Sequence, residues 1–183
     1  MAHEPTRTDP FDIFADDLLA ERNARPLVII GASKVDHLLF EMLRNFLLPK
    51  IAKERDQDEL LDGDAPLATF SARIRACRRL GLIDETLYIA LGRLRALRNF
   101  SAHSISFDYT KSPVRDYLSE LRRQIASRRS YRWTKQRFFD SEDFQPIDDL
   151  QCLLLTLCVL LEAMRKTIVR IPGSKGSLRI AAK

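Results

Sequence analysis

Apolar residues recur along this chain at every third or fourth position, the spacing of helices with one buried face. Pro10 to Glu21 places Phe11, Phe14, Leu18 and Leu19 on one stripe behind early aspartates, a short amphipathic helix. Pro26 opens a longer pattern through Leu27, Ile30, Val35, Leu38, Leu39, Met42 and Phe46, which Pro49 ends near Leu48. Residues 51–59 are charged and read as an exposed turn. Asp62-Gly63-Asp64 marks a second turn, Pro66 opens a helix with Leu67, Phe70, Ile74 and Cys77 inward, and Gly81 closes it in a left-handed cap. Asp84 caps the next helix, whose stripe is Leu87, Leu91 and Leu94. Four residues further on, that stripe arrives at Arg98, a charge on the extension of an apolar seam. Residues 104–109 alternate and suggest a short extended piece. Ser112-Pro113 then begins a helix with Val114, Tyr117, Leu118, Leu121 and Ile125 inward. Pro146 to about Val169 is apolar nearly all round, hence central. The pattern predicts an all-α fold: one domain over 10–170, a bundle of five to six helices, with a flexible N-terminus at 1–9 and a basic, disordered tail at 171–183.

Composition adds bounds. The chain has 183 residues, 45% of them hydrophobic and 30% charged, with six glycines, as expected of a helical globular domain. A formal charge of +5 permits a nucleic-acid or acidic partner without requiring one. Met1 to Pro10 has no apolar signal core, and the greasiest run, Leu150 to Leu161, is too short to span a bilayer, so a cytoplasmic protein without membrane contact is expected. Cys77, Cys152 and Cys158 show no CxxC pairing and sit among apolar residues, which predicts reduced core thiols. No cluster has metal-ligand spacing, and no glycine loop has phosphate-cradling spacing. No metal and no small-molecule cofactor is expected.

Three groups of residues carry candidate chemistry. Arg98, Asn99 and His103 fall within six residues at the end of the Asp84 helix. A permanent guanidinium that matches phosphate oxygens, an amide and an imidazole that titrates near neutrality are sufficient for phosphodiester chemistry. His103 would act as general base or acid, Arg98 would stabilise the phosphorane charge, and Asn99 would orient either group. Residues five apart on a helix stand about 140° from each other, so convergence requires His103 to leave the helix or a second copy of the chain to supply the partner. The alternative is two cations at a helix C-terminus, where the dipole favours them. Secondly, the stretch from Leu121 to Phe139 holds no acid. Its Arg128, Arg129, Arg132, Lys135 and Arg137, with Trp133 among them, form a candidate nucleic-acid-binding patch, or else a solvated basic segment. Thirdly, His37 and Glu41, one helical turn apart, read as a surface ion pair.

Two resemblances rest on these residues. The Arg98-Asn99-x-x-x-His103 element resembles the Arg-x4-His signature of the HEPN superfamily, whose active members are metal-independent ribonucleases working at a dimer interface. That resemblance implies an endoribonuclease, a toxin or defence effector leaving 2′,3′-cyclic phosphate ends. More broadly, Leu61-Asp62-Gly63-Asp64-x-Pro66-Leu67, the helix behind it, the Arg98–His103 element and the helix from Pro26 to Phe46 resemble the mannitol operon repressor family over roughly residues 20–125. This implies a HEPN-like helical bundle in a bacterial regulator that lacks a standard DNA-reading module and works through partners. The apolar stripe running on into Arg98 suggests a homodimer, and the basic stretch adds RNA or DNA to a regulatory protein as an expected partner. The regulator is the leading expectation and the ribonuclease the alternative.

Overall fold

The computed structural model describes residues 9–49, 57–139 and 144–172. The expected loose ends lie almost wholly outside them, as does most of the charged turn at 51–59. The described residues form seven helices and no strand: α1 (Pro10–Ala20), α2 (Ala24–Phe46), α3 (Phe70–Arg79), α4 (Glu85–His103), α5 (Val114–Ile125), α6 (Arg129–Phe138) and α7 (Pro146–Thr167). The expectation of an all-α bundle holds, with one helix more than the five to six read from the pattern. That extra helix is α6, cut from the basic stretch.

The sequence explains most boundaries. Asp9, Asn23, Thr69 and Asp84 cap α1 to α4 by accepting a backbone N–H with the side chain. At α7, Gln145 and Asp148 form a reciprocal capping box ahead of a first-turn proline. Gly81 has φ +72, and its N–H reaches the Arg78 carbonyl while the Leu82 N–H reaches that of Cys77. That is a Schellman close, and it requires a residue at ease with positive φ. Two expectations shift. α3 starts at Phe70, not Pro66, because Thr69 supplies the cap and residues 66–69 stay in turns. Residues 104–109 form no strand; Phe107 and Tyr109 instead pack onto the core.

α2, α4 and α7 form the centre, with α3 against α2 and α4, α5 against α4 and α7, and α6 against α7. α7 buries an unbroken run from Leu150 to Cys158, as its all-round apolarity predicts. At Gly31 of α2, a Cβ would come within 2.9 Å of the Leu154 side chain, so glycine lets α2 and α7 approach. Gln151, buried in α7, donates from Nε2 to the carbonyls of Leu18, Leu19 and Glu21 and so satisfies the end of α1. The three cysteines are free and buried; burial pushes the thiols of Cys77 and Cys158 up to about 12 and that of Cys152 up to about 11. They are inert core residues, as expected.

Candidate functional site

α4 keeps its helical form through His103. Ser104 is its C-cap, donating its N–H to the Phe100 carbonyl at 2.9 Å. The buried stripe of α4 runs Leu87, Ala90, Leu91, Leu94, Leu97, Ser101. It therefore steps by three from Leu94 to Leu97, and Arg98 falls beside the seam, exposed, where the four-residue step had placed it on the seam. Arg98, Asn99, Ala102 and His103 share one exposed arc. On ideal geometry Arg98 and His103 are its two edges, about 140° apart, with Asn99 and Ala102 between them. Asn99 and His103, four apart, are helix neighbours. Arg98 Nη1 donates to Asn99 Oδ1 at a long 3.4 Å. Within one chain the Arg98 and His103 side chains leave the helix in different directions, so His103 has not left the helix to meet Arg98.

What holds this end of α4 in place was missed in the sequence. Arg25, at the start of α2, donates from Nη2 to the carbonyls of Ser104 and Ile105 at 2.8 and 2.9 Å and fixes the chain just beyond His103. Ser101 Oγ, buried, donates to the Arg98 carbonyl at 2.8 Å. Ile105, beyond the arc, is fully exposed.

The basic stretch is a helix with two different sides. Tyr131 and Thr134 face the core, while Arg129, Arg132, Trp133, Lys135 and Arg137 are exposed. Arg137 lies over the rings of Trp133 and Phe138, at 5.6 and 5.4 Å, and Lys135 over Phe144 at 4.4 Å. Arg128 differs from the rest. Its Nη2 donates to both carboxylate oxygens of Asp84 at 2.8 Å, tying the start of α6 to the start of α4. Burial works to raise the Asp84 carboxyl, yet the Arg128 bond, the Leu87 N–H and the charges of Arg128 and Arg78 together hold it below its ordinary range. Arg122 is likewise held, on α5, by Asp149 of α7, which also accepts the Tyr131 hydroxyl at 3.0 Å. Burial, then the charge of Asp149, pushes the Tyr131 phenol well up, so the hydroxyl stays a donor.

Arg73, one of four arginines crowding α3 in sequence, has a structural task that spacing alone does not reveal. It donates from Nε to the Leu67 carbonyl (3.1 Å), from Nη2 to that of Leu61 (2.9 Å) and from Nη1 to Asp36 (2.9 Å). Its guanidinium also lies 5.1 Å from the centre of the Phe40 ring. The Leu61–Leu67 loop, turned at Gly63 with φ +61, is thereby clamped to α2 and α3. The expected His37–Glu41 pair is not formed: Glu41 pairs with Arg44 at 3.4 Å, and His37 stacks on Phe40. No group of three metal-ligating side chains exists among the described residues, and no helix among them is long and apolar enough to cross a membrane.

No family model and no curated protein matches the chain. Solved structures do. A possible transcriptional regulator, YggD from Shigella flexneri 2a str. 2457T, superposes with a TM-score of 0.62 at 16% identity, over 86% of this chain and 99% of that one. MtlR in the MtlR–HPr complex from Escherichia coli superposes with a TM-score of 0.57 at 20% identity, over 85% of this chain and 98% of the other. At these identities the likeness is one of architecture. The bundle of this chain is the MtlR-like fold, shared nearly end to end with both proteins.

Proposed function

We propose that this protein is a regulator that acts by binding a protein partner, with HPr the first partner to try. The carrying observation is the near end-to-end match to a fold seen in complex with HPr. The clamped Leu61–Leu67 loop supports the same reading, because this run carries the most specific part of the sequence resemblance and Arg73 holds its backbone in one conformation. Purified protein titrated by calorimetry with HPr from the same genome should give saturable heats at roughly micromolar concentrations, the range of ordinary regulatory contacts. Heats indistinguishable from dilution up to about 100 μM, a level where even weak contacts register, would remove HPr as the partner.

A second reading, a metal-independent endoribonuclease, is favoured by one observation: Arg98, Asn99 and His103 lie together on one exposed arc at the end of α4. The outward divergence of Arg98 and His103 makes that reading conditional on a homodimer in which one copy's Arg98 meets the other's His103. The outer face of α6, with Arg129, Arg132, Trp133 and Arg137, is proposed as a nucleic-acid contact in either case. Lys135 stands to one side of it over Phe144, and Arg128 belongs to the fold.

A further inference from the structure

A cavity of about 310 Å³ opens between α3 and α4. Three arginines line it, Arg75 from α3 and Arg93 and Arg95 from α4, and no carboxylate does. Like charges gathered around one hollow repel each other, so the arrangement costs stability unless an anion sits among them. Arg75 and Arg93 are exposed and form no ion pair among the described residues. Glu120 lies in the field of Arg93, but its carboxylate is taken up by Arg123 and Gln124. Arg95 is half-buried, and its Nη1 donates to Ser71 Oγ at 2.5 Å, a hydroxyl rather than an acid. Ser71 stands in the first turn of α3, where the helix dipole adds positive potential.

Gly92 supplies a second and independent observation. It lines the same cavity in the middle of α4, and a Cβ built on it would meet nothing within 4 Å. Its φ is not positive, so neither packing nor backbone geometry among the described residues calls for glycine there. Glycine inside a helix is destabilising relative to alanine. What the missing side chain does provide is open space in the cavity wall.

We propose that this α3–α4 cavity binds the phosphate group of a small phosphomonoester, held by Arg75 and Arg95, with Arg93, about 160° from Arg95 around α4, adding positive charge at the rim. Guanidinium forks match phosphate oxygens in pairs. A phosphate fills only part of 310 Å³, and Ile74, Ile89 and the Tyr88 ring line the remainder, which suits a short organic body. The ligand would report to the regulator from a surface distinct from the Arg98–His103 arc and from the outer face of α6. The proposal goes beyond the partner-binding reading and stands whether or not HPr binds.

The test is calorimetry on the full chain at low salt with phenyl phosphate and glycerol 3-phosphate, against inorganic phosphate and glycerol. Expected is one saturable site for the phosphomonoesters, weaker binding of inorganic phosphate and none of glycerol. Arg75→Ala should weaken binding about tenfold, the effect of removing one charge-assisted hydrogen bond, and Arg93→Ala should weaken it by less. Lys111→Ala, beyond α4 and outside both surfaces, should leave it unchanged. Gly92→Leu, which fills the open space at this point of the cavity wall, should abolish binding with helicity intact. The proposal is overturned if the phosphomonoesters give no saturable heat at millimolar concentration, if they bind no better than inorganic phosphate, or if Lys111→Ala weakens them as much as Arg75→Ala does.

Discussion

Asp84 offers the sharpest test of how this bundle is held, because one carboxylate does two things. Its Oδ1 accepts the Leu87 N–H at 2.7 Å and caps α4, and both its oxygens accept from Arg128, which sits 44 residues later at the head of α6. Loss of an aspartate cap costs about 1 kcal/mol. The ion pair adds about 0.2–1 kcal/mol, the range for exposed pairs, since the Asp84 side chain is 52% exposed although that of Arg128 is only 21% exposed. Asp84→Ala should therefore cost about 1–2 kcal/mol, or roughly 2–8 °C in Tm for a domain of this size. Asp84→Asn keeps a capping oxygen and loses only the charge, so it should cost about 0.2–1 kcal/mol, the ion-pair share. Urea denaturation of Asp84→Ala, Arg128→Ala and the double variant closes a cycle, and its coupling energy should be positive and within the same ion-pair range. The pH dependence follows from the direction of the shift. A carboxyl whose folded pKa is depressed adds stability above its unfolded value of about 3.9 and loses it as pH falls through the lowered folded value. The gap between wild type and Asp84→Asn should be constant from about pH 5 to 8 and narrow below about pH 4. Zero coupling in the cycle, or an Asp84→Ala variant as stable as wild type, would refute the assignment of Arg128 to the fold.

Other outcomes follow from single interactions. Gln151→Leu removes the donor that serves Leu18, Leu19 and Glu21, and urea melts should show a loss of about 1–3 kcal/mol, the cost of leaving buried carbonyls unpaired. Gly31→Ala places a methyl against the buried Leu154 side chain, and the same assay should show about 1–3 kcal/mol of overpacking between α2 and α7, offset by about 0.5–1 kcal/mol of helix propensity. If the outer face of α6 binds nucleic acid, replacing Arg129, Arg132 and Arg137 with alanine should flatten the log K against log salt plot by about 0.9 for each duplex-DNA phosphate no longer neutralised. Arg128→Ala should leave that slope alone.

Periodicity and caps made the elements of the fold readable in advance, for reasons visible at particular residues. Asp84, Gly81 and the Pro146 start act locally, through their own turn of backbone, and local chemistry survives in sequence. Pairings between distant segments do not. Nothing in the spacing of Arg73 distinguishes it from Arg75, yet the first clamps a loop and the second lines a cavity. Arg128 likewise looks like its neighbour Arg129 until Asp84 is placed beside it. At Arg98 the reading failed by one position. A stripe of period 3.6 advances by three or by four, and the step from Leu94 to Leu97, not to Arg98, was fixed by the packing of α4 on α2 and α5. The grouping of Arg98, Asn99 and His103 at a helix end was legible; the direction of each side chain required the helix to be seen running through His103.

The proposed binding role is tested by asking whether that group performs chemistry. Purified protein is incubated with end-labelled RNA in excess EDTA at pH 7, beside Arg98→Ala and His103→Ala, and the products are resolved on a denaturing gel. Uncleaved RNA is expected in all three lanes. Discrete products in the wild-type lane, ending in 2′,3′-cyclic phosphate and reduced by about 10²-fold or more in both variants, the usual loss with an acid–base group, would contradict it.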